Sequence, residues 1–218
     1  MTNLPKIVRD GRFVILDIES TGLSRKKDEP VQLAFGHMDG GRAGLRGFYT
    51  FKPGVPIKPR AAAIHGFTER KLTWAPSFAQ CGDEIYSLLK DRIVLGYNVR
   101  RFDVPIVARM FEESGVKCSL SRHVAWRIRP RILDVLVWQR RFAKQQGWEG
   151  GNSLGVAAQR WNVDVADLHD AWQDCRVTWA LFWALANRFP ELGEMDPDEA
   201  VIYEECGFQV EEVRDRFI

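Results

Sequence analysis

The segment Phe13-Val14-Ile15-Leu16-Asp17-Ile18-Glu19 constrains this chain more than any other. Its apolar run reads as a buried strand, yet it ends in two carboxylates just before Ser20-Thr21-Gly22. Side chains alternate along a strand, so Phe13, Ile15, Asp17 and Glu19 share one side while Val14, Leu16 and Ile18 share the other. The two acids are then neighbours, about 7 Å apart by the rise per residue. In a partly buried site their charges repel unless one is protonated or a cation lies between them, and a bound divalent metal resolves the conflict. An isolated Asp-x-Glu more often means an Asp that caps a loop and a Glu in water, so residues further along must decide.

The surrounding pattern predicts an α/β fold. Residues 12–19, 31–38 and 44–51 read as three strands separated by short, charged, Gly-containing turns, an antiparallel meander. Pro53, Pro56 and Pro59 end the sheet run. Pro76 opens an amphipathic stretch in which Phe78, Ile85, Leu88 and Leu89 form one face. A short apolar strand, Arg92-Ile-Val-Leu-Gly-Tyr-Asn98, precedes a helical run from Asp103 to Glu113. Strands now alternate with helices, as in a mixed α/β layer. Residues 131–146 and 153–161 are expected to be helical. The clearest helix lies in residues 170–189, where Trp172, Cys175, Trp179, Phe182, Ala186 and Phe189 recur at steps of three or four.

The 218 residues suffice for one domain with a sizeable core, and the expected boundary is at Pro190. Residues 1–190 carry 29 Lys or Arg against 19 Asp or Glu, whereas residues 191–218 carry 2 against 10. A basic body with an acidic tail is expected, the tail forming one short helix near residues 197–206. A basic body favours a polyanionic partner through phosphate neutralisation and counterion release. The tail is a candidate contact for a protein partner, a cover for the basic groove, or simply a packed appendage. No apolar stretch is long enough to span a bilayer and the first residues lack a secretory core, so a cytoplasmic protein without a membrane partner is expected. Cys81, Cys118, Cys175 and Cys206 show no zinc spacing and are expected as reduced thiols.

Two further acids and a histidine complete the candidates. Asp103 stands where strand gives way to helix, a place where Asp commonly serves as a cap. Asp174 lies in the first turns of the last helix, on the edge of its apolar stripe. In one continuous helix His169 and Asp174 would point about 140° apart, so they cooperate only if His169 precedes the helix. Asp170 is a plausible N-cap, which leaves His169 in the loop.

Asp17-Ile18-Glu19, then Asn98 through Phe102-Asp103, then His169-x-Ala171-x-x-Asp174 resemble, in that order, the three motifs of the DnaQ-like DEDDh exonucleases, the family that includes proofreading subunits of replicative DNA polymerases. Ser20-Thr21-Gly22-Leu23, the segment Ile64-His65-Gly66-Phe67-Thr68, and Leu133-Asp134 at the start of a later helix match as well, so that the resemblance spans residues 12–189. It implies an RNase H-like fold with three antiparallel strands followed by parallel ones, flanked by helices. It also implies 3′ to 5′ removal of nucleotides with two divalent ions, Mg²⁺ or Mn²⁺. By position, Asp17, Glu19, Asp103 and Asp174 become metal ligands and His169 the general base. Ser20, Thr21, Gly22, Leu23, His65, Asn98 and Phe102 become substrate contacts, Thr21 and Leu23 against the terminal nucleotide. Many relatives have His-Asn where this chain has Tyr97-Asn98, and Arg100-Arg101 adds positive charge there, which bears on how the strand's end is gripped.

The expected substrate is a 3′ end of single-stranded or frayed DNA. Residues 121–131 interleave four arginines with His123 and Trp126, a pattern suited to phosphate pairing and base stacking, and equally to a solvated loop with Trp126 tucked into the core. Lys26, Lys27, Lys52, Lys58 and Arg60 extend the basic surface. Trimming of RNA is the main alternative, because the catalytic set does not inspect the sugar. A phosphatase with an aspartyl nucleophile at Asp17, or a catalytically silent nucleic-acid-binding module, ranks lower.

Overall fold

The computed structural model describes residues 4–116, 131–165 and 170–208. Its centre is a five-stranded mixed sheet formed by β1 (Arg12–Ser20), β2 (Pro30–Asp39), β3 (Arg42–Thr50), β4 (Ile93–Gly96) and β5 (Ile132–Asp134). The spatial order is β3-β2-β1-β4-β5. β1, β2 and β3 pair antiparallel, and β4 and β5 extend the sheet in parallel with β1. The fold expected from the sequence, three antiparallel strands followed by parallel ones, is the one formed.

Helices cover both faces. They are α1 (Lys6–Asp10), α2 (Pro59–His65), α3 (Phe78–Leu89), α4 (Asp103–Glu113), α5 (Val135–Gln145), α6 (Leu154–Arg160), α7 (Ala171–Arg188), α8 (Pro190–Gly193) and α9 (Pro197–Glu205). The alternation read in β1 divides the core as expected. Val14, Leu16 and Ile18 pack with Phe78, Ile85 and Leu89 of α3 and with Val107 and Phe111 of α4. On the other face, Phe13 and Ile15 pack with Trp138 and Phe142 of α5 and with Cys175, Phe182 and Ala186 of α7. Asp17 and Glu19 continue this second face beyond its apolar part. α3 begins with a capping box between Ser77 and Gln80, which satisfies two otherwise orphaned groups of its first turn.

Two expectations need correction. The helix predicted over residues 131–146 begins only at Val135, because Ile132–Asp134 pairs with Val94, Leu95 and Gly96 as an edge strand. Three residues are too few for periodicity to reveal a strand; its ladder partner defines it. Asp134 ends that strand and its side chain accepts from Leu136 N–H as the N-cap of α5. Asp103 is not a cap: Phe102 holds that position, without a side-chain capping bond, and the Asp103 carboxylate binds elsewhere.

Beyond Pro190 the described chain packs on the same core, with Leu192, Ala200 and Val201 in the α5/α7 cluster. Glu204 of α9 is buried, accepting from Asp134 N–H and from the Arg100 guanidinium, at 3.0 Å and 2.9 Å in the shorter contacts. No helix among the described residues is long and apolar enough to cross a membrane.

Candidate active site

The carboxyl ends of β1, β4 and β5 lie along one edge of the sheet, where the chain switches from antiparallel to parallel pairing. Ligand crevices in open α/β sheets form at such switch points. β1 brings Asp17 and Glu19 to this edge, β4 leads into Tyr97 and Asn98, and β5 ends at Asp134. α7 brings Asp174 in from the covering layer. Each of Asp17, Glu19 and Asp174 offers a carboxylate oxygen, and these oxygens lie within 4.8 Å of one another.

Asp103 approaches from the opposite layer but lies outside this 4.8 Å group. It is buried at the start of α4, and its Oδ1 accepts from Ile18 N–H at 3.0 Å. Ile18 sits between Asp17 and Glu19, so the strand that displays two acids on one face fixes the third through its backbone. Burial raises all three proton affinities. Asp17 lies well above the usual carboxylate range, with Asp103, Asp174 and Glu19 adding repulsion. Glu19 is pushed up to about 8 by burial and by Asp174 and Asp103. Asp103 rises to about 7 by burial, against the lowering effect of the Ile18 bond. The acids crowd one site and raise one another's proton affinities, a cost that a multivalent cation would remove. Its donors are all carboxylate oxygens, which suit hard ions such as Mg²⁺ and Mn²⁺.

The turn after β1 is built from the residues expected to meet substrate. Thr21 is fully buried; its hydroxyl donates to Asp28 and accepts from Glu29 N–H. Ser20 Oγ donates to the Gly22 carbonyl at 2.7 Å. Any Cβ on Gly22 would lie 2.5 Å from the Lys58 side chain and 2.7 Å from Asp28, so a larger residue would have to displace the Lys58–Asp28 pair. Lys58 is paired with Asp28 at 2.6 Å and is part of this scaffold. The turn leaves Leu23 standing out, 79% exposed, with no apolar cover among the described residues. His65, at the end of α2, accepts from Phe67 N–H on Nδ1, so its Nε2–H donates to the Ser20 carbonyl. Burial lowers its proton affinity, which keeps it neutral as a brace of the turn.

Asn98 holds the left-handed conformation, φ 61°, stabilised by its N–H on Asp134 at 2.8 Å. Phe102 packs at the margin of the α3/α4 core. Asp170 caps α7 through Trp172 and Gln173 N–H, as its place in the sequence predicts. His169 lies outside the described residues, as do residues 121–130 with His123 and Trp126.

Several residues that shape the site carry no recognisable motif. Tyr97 OH donates to the Asn152 carbonyl at 2.8 Å, and Gln139 Nε2 donates to Asn152 Oδ1 at 2.8 Å, which together hold the loop before α6 against the site. A cavity of about 380 Å³ opens between this loop and the acids, touching Asp17, Asp174, Asn98 and Arg140. The only sequence signal for Arg140 is its position on the polar side of α5.

A mixed sheet in the order 3-2-1-4-5, with acids gathered at the carboxyl end of its central strand, is an RNase H-like fold. E. coli exonuclease I, in a zinc-bound complex with single-stranded DNA, superposes with a TM-score of 0.73 at 22% identity, over 84% of this chain and 42% of that one. A product-bound exonuclease I superposes at 0.71 and 21% identity, over 85% of this chain and 45% of that one. The model of the RNase_T exonuclease family matches residues 14–182, and the chain belongs to that family. Among relatives, the 3′-5′ exonuclease DinG of Staphylococcus epidermidis is 23% identical over 193 residues, 88% of this chain and 20% of its own length. The PolC-type DNA polymerase III of Staphylococcus aureus is 24% identical over 194 residues, 88% of this chain and 12% of its own length. The chain therefore spans a fifth or less of these curated relatives.

Proposed function

We propose that the protein is a 3′ to 5′ exonuclease that removes nucleotides from single-stranded or frayed DNA ends, using two divalent ions and a histidine base. The observation that carries this reading is the convergence of Asp17, Glu19 and Asp174, with Asp103 fixed beside them, from elements far apart in sequence. Asp17, Glu19, Asp103 and Asp174 hold the cations, and His169 takes the proton from the attacking water. Mg²⁺ or Mn²⁺, when bound, supplies Lewis-acid stabilisation of the charge that builds on the phosphate and on the leaving 3′ oxygen. Leu23, exposed at the lip, offers an apolar surface for the terminal base, while Ser20, Thr21, Gly22 and His65 hold the turn that presents it. Asn98, which lines the adjoining cavity, and Phe102, next to Asp103, are the remaining substrate contacts.

DNA is favoured over RNA because the relatives with named activities are a 3′-5′ exonuclease and a DNA polymerase, and exonuclease I was solved with single-stranded DNA. Incubating 5′-labelled and 3′-labelled DNA and RNA strands with Mg²⁺ or Mn²⁺ tests the reading. The expected result is a progressive ladder from the 5′-labelled DNA and immediate release of labelled mononucleotide from the 3′-labelled DNA. Absence of any metal-dependent cleavage, or ladders that start at the 5′ end, would overturn it.

A further inference from the structure

The cavity beside the acids does not end there. Asn98, Leu136 and Arg140 also line a second cavity of about 420 Å³, which runs along the outer face of α5 past Arg101, Arg141 and Lys144. Each cavity has the volume of a small-molecule cleft, about 300–1,000 Å³, and the three shared residues set the two side by side in one line, termed the channel.

The charges along this channel differ in how far they are already used. Arg100 is bound by Glu204 and lies 3.5 Å from Glu205. Arg141 lies over the rings of Tyr203 and Phe208 and donates to Tyr203 OH. Asp134, the acid that lines the second cavity, is buried, and its oxygens accept from the backbone N–H groups of Asn98, Arg100 and Leu136. Arg140 and Lys144 are exposed, one helical turn apart, and make no ion pair among the described residues. Arg101 is likewise exposed and without an ion pair among the described residues, so three such cations line the channel, of which Arg140 and Lys144 follow one another along α5 from the acid cluster outward.

We infer that this channel is the path of the nucleic-acid strand away from the acids, with Arg140 and then Lys144 each neutralising a backbone phosphate. The inference rests on the exonuclease reading and deepens it by assigning the strand's route. Cations spaced along an open groove suit a single strand, whose phosphates they track without reading sequence. Arg140 stands at the junction, so it meets the phosphate next to the scissile one, and Lys144 a phosphate further along.

Binding of a fluorescent single-stranded oligonucleotide by anisotropy, in EDTA across a salt series, tests the path. Each phosphate contact on a single strand contributes about 0.7 to the slope of log affinity against log salt. Arg140→Gln and Lys144→Gln should each flatten the slope by about that amount. Lys90→Gln removes the same charge at the end of α3, on the opposite layer, and should leave the slope as it was. Equal slopes for Arg140→Gln, Lys90→Gln and the wild-type protein would overturn the path, as would a wild-type protein that binds no strand. The metal-dependent ladder is read separately. Ladders with equal slopes would leave the activity standing and remove the path, whereas unequal slopes without ladders would do the reverse.

Discussion

The backbone N–H of Ile18 donates to the Asp103 carboxylate at 3.0 Å, joining residues 85 positions apart. One peptide group of β1 thereby sets the distance between an acid of α4 and the two acids that flank it on the strand. Replacement of Asp103 should separate tether from charge. Asn keeps an acceptor for Ile18 and carries no charge, so Asp103→Asn should have at least wild-type stability in EDTA yet lose metal-dependent cleavage by a factor on the order of a thousand. Asp103→Ala should lose cleavage equally and also destabilise the fold by about 1–3 kcal/mol, through the unpaired Ile18 N–H. Urea denaturation and a labelled-strand assay measure the two effects; an active Asp103→Asn enzyme would remove Asp103 from the ligand set.

Metal-free protein should become less stable as pH rises. The folded-state proton affinities of Glu19, about 8, and Asp103, about 7, lie above the values of the unfolded chain. For an acid shifted upward, the stability present below the unfolded value is lost as pH climbs through the folded one. The melting temperature in EDTA should therefore fall between about pH 4 and pH 8, and the rise produced by Mg²⁺ or Mn²⁺ should grow over the same interval. A metal-induced shift that is the same at pH 5 and pH 8 would contradict the electrostatic account of the cluster.

His169→Ala should fold normally, keep its metal-induced rise in melting temperature and lose turnover by about 10²–10⁴-fold, the range for removal of a general base. The rate–pH profile should also lose its acidic limb, because the group that must be deprotonated is gone. Unchanged turnover would reassign the proton acceptor.

Glu204→Ala should weaken the fold although it lies in the acidic stretch after Pro190. Its loss leaves the buried Asp134 N–H without an acceptor and frees Arg100, at an expected cost of about 2 kcal/mol. Because Asp134 also holds Asn98 and Arg100, strand cleavage should fall together with stability. Chemical denaturation of this variant beside Glu205→Ala, whose carboxylate is more exposed, separates the buried contact from general charge removal. Equal stability of the two variants would show that the buried contact contributes nothing.

The sequence by itself determined whatever depends on local periodicity. The two-residue alternation of β1 assigned Phe13, Ile15, Asp17 and Glu19 to one face, the stripe of α7 found its buried side through Cys175, Phe182 and Ala186 although Trp172 and Trp179 are only partly buried, and Asp170 was legible as a cap because capping involves only the residues from Asp170 to Gln173. The order of acids, from Asp17 to Asp174, could be read as a site only through its resemblance to a family, since periodicity says which way a side chain faces and not what it meets. Distances between remote segments were decided by packing alone. Tertiary contact turned Ile132–Asp134 into a strand, moved Asp103 from a capping position to Ile18, buried Glu204 against Asp134, and set two cavities side by side at Arg140. Each of these depends on a partner at least 34 residues away, as the Asn98 and Arg100 bonds to Asp134 also do, and no local rule carries that information.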